Sequence, residues 1–199
     1  MKSHALALGV AAAILSVAAC NNNNGGGNEP NAQTPKAEKA AGDKTIAAGL
    51  PANSQFMAAA KSAGLDQTLA GPGPYTVLVP DDAAFAKAPA GTFDAKPENR
   101  AQITGIITNL ILPGTVLAED IGKAVDAGKG KAVLATMGGG TLTATKEGGN
   151  TVLTDGSGTR ATITQADQQF TNGVVHHIDV ILMPSKQQGP AKAVGDKAG

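Results

Sequence analysis

From Asn21 to Thr45 the chain contains no Val, Ile, Leu, Met or aromatic residue, only Asn, Gly, Pro, Ala, Gln, Thr and charges. Such a stretch cannot bury enough apolar surface to offset the entropy lost on ordering, and it reads as a tether. Ser185–Gly199 repeats the polar, Gly/Pro/Lys-rich composition and reads as a frayed tail. Any packed core is therefore confined to residues 46–184, the material of one modest domain. With 26 glycines in 199 residues, the 42% hydrophobic total overstates the bulky side chains available to it.

Lys plus Arg and Asp plus Glu each number 16, so the formal net charge is zero. That removes the basic footprint needed to neutralise phosphates, and nucleic acid is excluded as a partner. One Cys, one Tyr, four Phe and no Trp leave no disulfide, no Cys-based metal cluster and no aromatic stacking platform. The N-terminus carries Lys2 and His4, an apolar run over Ala5–Ala19, and Val17-Ala18-Ala19 just before Cys20. Residues 1–19 are thus an export signal, too short for the roughly 18 apolar residues of a spanning helix. Val17-Ala18-Ala19-Cys20 resembles the lipobox of bacterial lipoproteins. The resemblance implies that Cys20 is the lipid attachment site and first mature residue, that 20–45 tether the domain to a membrane, and that Asn21 directs it to the outer membrane. An ordinary cleaved signal beside a thiol is the alternative.

Within 46–184, Asn53-Ser54 can cap a helix through Phe56, Ala59, Ala60 and Ala63, with Gly64 as its stop. Tyr75–Val79 is a strand ended by Pro80, and Asp81-Asp82 stand where the cap of the next short helix belongs. Ile103, Ile106, Ile107 and Leu110 fall at i, i+3, i+4 and i+7, the apolar face of a helix expected to end at Pro113-Gly114. A short helix is expected over 118–127. From Lys131 the period becomes two, giving strands over 132–136, 141–145, 151–154, 159–164 and 174–183 between Gly-rich turns, an antiparallel meander. Helices first and strands second make this an α+β domain.

Two segments carry a family resemblance. Gly73–Lys87 with Pro89-Ala90-Gly91-Thr92, and Asn172–Pro184, are similar to the first and second signatures of the fasciclin domain, with Ile111-Leu112-Pro113-Gly114 between them at a third matching position. The resemblance covers 46–184. It implies a β-wedge of two sheets with flanking helices, and an extracytoplasmic adhesion or interaction module without cofactor or catalysis. Where animal members often carry Tyr-His this chain has Asn109-Leu110. Where they can carry an acidic receptor motif it has Gln165–Gln169, of which Asp167 alone matches, leaving Asp167 as a possible partner contact.

The remaining candidate chemistry is sparse. His176 and His177 are neighbours on an expected strand and point to opposite faces, so they do not share a metal. His176 lies with Val174, Ile178, Val180 and Leu182 and reads as a structural, hydrogen-bonded core histidine. His177 and Asp179 share the other face, where a surface ion pair is expected. Gly156-Ser157-Gly158 lies in a hairpin turn and is not a nucleophile elbow. Gly128-Lys129-Gly130-Lys131 lies between a helix and a strand, the wrong order for a phosphate loop. No metal or other cofactor is expected. The leading function is contact with an envelope or extracellular protein or polysaccharide; the alternatives are a periplasmic carrier of a small apolar ligand and a hydrolase.

Overall fold

The computed structural model describes residues 42–184. Its elements in chain order are α1 (Ile46–Gly49), α2 (Gln55–Ala63), α3 (Asp66–Ala70), β1 (Tyr75–Pro80), α4 (Asp82–Ala86), α5 (Arg100–Asn109), β2 (Ile111–Pro113), α6 (Ala118–Ala127), β3 (Ala132–Ala135), β4 (Thr141–Glu147), β5 (Asn150–Thr154), β6 (Arg160–Phe170) and β7 (Gly173–Ile178). A 3₁₀ turn over Pro97–Asn99 leads into α5.

α2 starts and stops where its residues dictate. The Ser54 hydroxyl accepts from the Met57 amide at 3.3 Å, and Gly64 takes the left-handed conformation (φ 76°) that closes the helix. Its alanine-rich face, Ala59, Ala60 and Ala63 beside Phe56, is buried against Ile103, Ile106 and Ile107 of α5. Small side chains on α2 allow the branched ones of α5 to interdigitate. The helix α5 ends at Asn109, earlier than expected. Ile111 and Leu112 are fully buried and pair antiparallel with Val77 and Thr76 of β1, so Pro113 ends a strand rather than a helix. A short apolar run ended by proline, next to an unpaired strand edge, gains more from pairing than from another helical turn.

The strands form one seven-membered ladder in the order β2-β1-β7-β6-β5-β4-β3. The expected meander is present from β3 to β7, every pair antiparallel. What the period of two did not show is the parallel pairing of β1 with β7, Tyr75 opposite Gly173 through Pro80 opposite Ile178. That pairing ties the helical half to the meander. β6 is longer than expected and belongs to two layers: Arg160–Thr162 pair with β5, and Ile163–Phe170 pair with β7. Register shifts between Ile163, Gln165 and Gln168 are the bulges through which one strand changes sheets. The result is the expected α+β wedge, with β2-β1-β7-β6 and β6-β5-β4-β3 sharing β6. β7 ends at Ile178, short of Met183, because Asp179 turns its carboxylate onto the Thr162 amide at 2.6 Å.

The core runs without interruption from Ile46, Phe56 and Leu69 through Leu78, Leu110 and Val175 to Leu142 and Leu153. At the start of β7 a Cβ on Gly173 would run into the Tyr75 carbonyl, so the backbones of β1 and β7 approach there as only glycine permits. The packed part begins slightly before residue 46, since the Lys44 carbonyl accepts from the Thr171 amide at 2.9 Å. Cys20, residues 21–41 of the expected tether, the 1–19 signal and the 185–199 tail lie outside the described residues, whereas residues 42–45 lie within them.

Candidate functional site: the His176–Asp167 node and its surroundings

β7 is buried on both faces, and His176 at its centre has no exposed surface. Its Nε2 donates to the Val116 carbonyl at 2.8 Å, and its Nδ1 accepts from the Asp167 amide at 3.1 Å. These partners assign the neutral tautomer with the proton on Nε2. Burial pushes the pKa of His176 below the ordinary imidazole range; the Val116 carbonyl and the nearby Asp167 carboxylate pull the other way without prevailing.

Asp167 explains its own survival in an otherwise divergent motif. It sits within the second bulge of β6, between Gln165 and Gln168, with φ 60°, a left-handed conformation that Asp tolerates better than most residues. From there its amide reaches His176 and its Oδ1 accepts from the Ala118 amide at 2.8 Å. That places a carboxylate on the first turn of α6, where unpaired N–H groups and the helix dipole favour an anion. The side chain is 36% exposed, with its Oδ1 committed inward to the Ala118 amide.

His177 does not pair with Asp179, as the alternation of the strand had suggested. Asp179 caps Thr162, while His177 Nδ1 lies 3.5 Å from Asp81 Oδ1 and Nε2 lies 3.2 Å from Gln168 Oε1. The reason is the parallel β1–β7 pairing, which brings Asp81 to the end of β7. Asp81 occupies the N-cap position of α4 but makes no side-chain cap bond there; Asp82 instead accepts from the Gln55 amide of α2 at 3.1 Å. Thr164 donates to Asp81 at 3.4 Å rather than to the imidazole, so the nucleophile–base–carboxylate order of a hydrolase is not assembled at this histidine.

Ser157 is likewise engaged. Its hydroxyl donates to Asp155 Oδ1 at 2.6 Å, and Asp155 also accepts from the Ser157 and Thr159 amides at 2.9 Å each. The second oxygen of Asp155 accepts from the Met183 amide at 2.8 Å and pins the end of the domain. Asn172 does the same at the other end: its Nδ2 donates to the Leu69 and Gly71 carbonyls and its Oδ1 accepts from the Ile46 amide. Neither buried hub was found by sequence reasoning. Their only signal was a turn-forming Asp-Gly or Asn-Gly pair, which as readily marks a solvent-exposed turn. Asn109 and Leu110, at the Tyr-His position, are both inside the core, Asn109 accepting from the Thr136 hydroxyl at 3.3 Å. Among the described residues no group of three or more His, Cys, Asp or Glu side chains could hold a metal ion.

Comparison with known proteins agrees with this architecture. The fasciclin domain family matches residues 51–184. A Synechocystis protein, sll1483, is 34% identical over 141 residues, 70% of this chain and 71% of that one. The transforming growth factor-beta-induced protein ig-h3 of Sus scrofa is 33% identical over 127 residues, 64% of this chain but 17% of the relative. A solved pair of FAS1 domains from the insect cell adhesion molecule Fasciclin I is similar with a TM-score of 0.52 and 26% identity. That match covers 64% of this chain and 44% of the pair. On the matched signatures, the sheet order and the helical packing, the chain belongs to the fasciclin domain family.

Proposed function

We propose that this chain is a non-catalytic interaction module, exported and held to the cell envelope by a lipid on Cys20, which adheres to an envelope or extracellular protein. The observation that carries the reading is where the reactive and apolar groups lie. His176, Ser157, Asp155 and Asn172 are consumed by structural hydrogen bonds, whereas the large apolar side chains left exposed among the described residues are Val133 on β3 and Met137 in the turn after it. A polysaccharide partner is disfavoured because sugars are commonly held on flat aromatic faces. Here Phe56, Phe85 and Phe170 are buried, and Tyr75 and Phe93 pack against the core. The adhesion role of the insect relative supports the same class of function.

Single contacts of such a module can be weak, because many copies on one membrane raise the effective concentration. The test displays the full chain on vesicles through Cys20 and compares its adhesion to envelope preparations with that of the soluble 42–184 domain. Adhesion at least tenfold stronger in the displayed format is expected. Equal binding in both formats, or turnover of an ester or phosphoester substrate by either, would overturn the reading.

A further inference from the structure

The bond between His176 and the bulge of β6 depends on a lone pair. His176 Nδ1 accepts from the Asp167 amide at 3.1 Å, which it does only while the ring is neutral. A second proton turns Nδ1 into a donor that faces another donor. An acceptor for the new N–H stands on the same residue: Asp167 Oδ1 lies 3.8 Å from Nδ1 and is held by the Ala118 amide at 2.8 Å. Nε2 keeps the Val116 carbonyl in either state. One carboxylate oxygen thus stands between two donors, an amide on α6 that is always present and a ring N–H on β7 that exists only when His176 is charged.

Asp167 is free to make the exchange. Its φ of 60° costs energy for a residue with a Cβ, so turning its peptide away from an imidazolium relieves backbone strain, and its side chain is partly exposed. The segment it would release is bounded on both sides. The Thr76 hydroxyl accepts from the Val116 amide and donates to the Gly114 carbonyl, at 2.8 Å each, and Ile121 is buried in the core. Between them, among the described residues, the hydrogen bond that joins Leu117–Asp120 to another element is that of Ala118 to Asp167. The charges around the ring are few. β1 sets Leu78 opposite His176 and the link before α6 offers the Val116 carbonyl, while Asp167 on β6 favours the imidazolium and His177, next along β7, opposes it. Glu119 and Asp120 on the first turn of α6 are engaged by Lys123 at 2.7 Å and by the Leu117 amide at 3.4 Å.

We propose that His176 and Asp167 form an acid-operated switch for the first turn of α6. Protonation of His176 moves the Asp167 carboxylate from the Ala118 amide to the new Nδ1–H, and Leu117–Asp120 come loose between Val116 and Ile121. The proton is taken from water and returned to it, and no bond between heavy atoms is made or broken. Burial favours the neutral ring, so the switch turns on the acid side of the ordinary imidazole range. At neutral pH the carboxylate stays on α6, where the leading amides and the helix dipole hold it. The switch is a property of the fold and stands apart from the adhesion reading.

The test follows amide hydrogen exchange in the full-length chain from about pH 7.5 to about pH 5, each rate corrected for the intrinsic pH dependence of exchange. Protection at Ala118 should fall about tenfold further than protection at Val175 on β7. The ring nitrogen resonances of His176 should pass to the doubly protonated form over the same interval. Asp167→Asn leaves Ala118 an acceptor but offers no charge to an imidazolium, so the response at Ala118 should shrink to a small part of the parent's. His176→Gln takes up no proton there and should abolish it. Protection at Ala118 indifferent to pH, a response as large in Asp167→Asn as in the parent, or Ala118 and Val175 losing protection together would overturn the switch. The Asp167→Asn comparison decides the matter whether or not His176→Gln folds.

Discussion

Replacing His176 by alanine leaves the Val116 carbonyl and the Asp167 amide without their partner at a buried site and opens a void. The expected cost is about 1–3 kcal/mol, read as a lowered urea midpoint. Its pH dependence has a definite sign. Burial depresses the folded pKa below that of the unfolded chain, so at acid pH the unfolded state takes up the proton first. The stabilisation is complete above about pH 6.5 and is lost as the pH falls below it, by up to about 1.4 kcal/mol per pH unit from this one group. His176→Gln should flatten that slope below about pH 6.5; an unchanged slope would show that His176 is not the titrating group. Its inward face was legible from the alternation Val174, His176, Ile178. Its partners were not, because they come from positions 9 and 60 residues away, and strand period carries no information about what lies across the core.

At the scale of elements, Asp167 joins β6 to α6. Asp167→Ala should destabilise by about 0.5–2 kcal/mol through loss of the contact at the start of the helix, and it should raise amide exchange at Ala118 and the residues after it. Asp167→Asn keeps an acceptor and a residue at ease with positive φ, and should recover most of the loss. If Asp167 instead met a partner, both substitutions would weaken adhesion with the unfolding midpoint unchanged. Elements with their own local signals were readable: α2 from Ser54 and Gly64, β3 to β5 from glycine turns and Val/Thr runs. β2 was not, since Ile111 and Leu112 continue the apolar face of α5 and their strand pairing depends on β1, more than thirty residues earlier. The same holds for the β1–β7 contact: Gly173→Ala should cost several kcal/mol, because a methyl group there meets the Tyr75 carbonyl and the backbone cannot yield without parting two strands.

For the whole molecule, the domain and its anchor are separable problems. Among the described residues, the backbone bond nearest the N-terminus that reaches a distant element is that of Lys44 to Thr171. Anchoring to a membrane needs the segment before it, if Cys20 carries the lipid. A coil over residues 21–41 would span about 25 Å r.m.s., enough to lift the domain clear of a lipid headgroup layer but not to cross to a distant surface. Intact mass of the mature chain should show an acylated Cys20, and Cys20→Ser should leave the protein unanchored with its unfolding midpoint unaltered. Hydrogen exchange on the anchored protein should find residues 21–41 and 185–199 unprotected while Val174–Ile178 exchange only through global opening. Halving the tether shortens the coil by a factor of about 1.4 and crowds the domain against its own membrane, so adhesion to an opposing surface should fall while the unfolding midpoint of the domain stays constant. Loss of both together would mean that the tether contributes to the folded domain itself, and an unmodified N-terminus other than Cys20 would remove the lipid anchor from the account altogether.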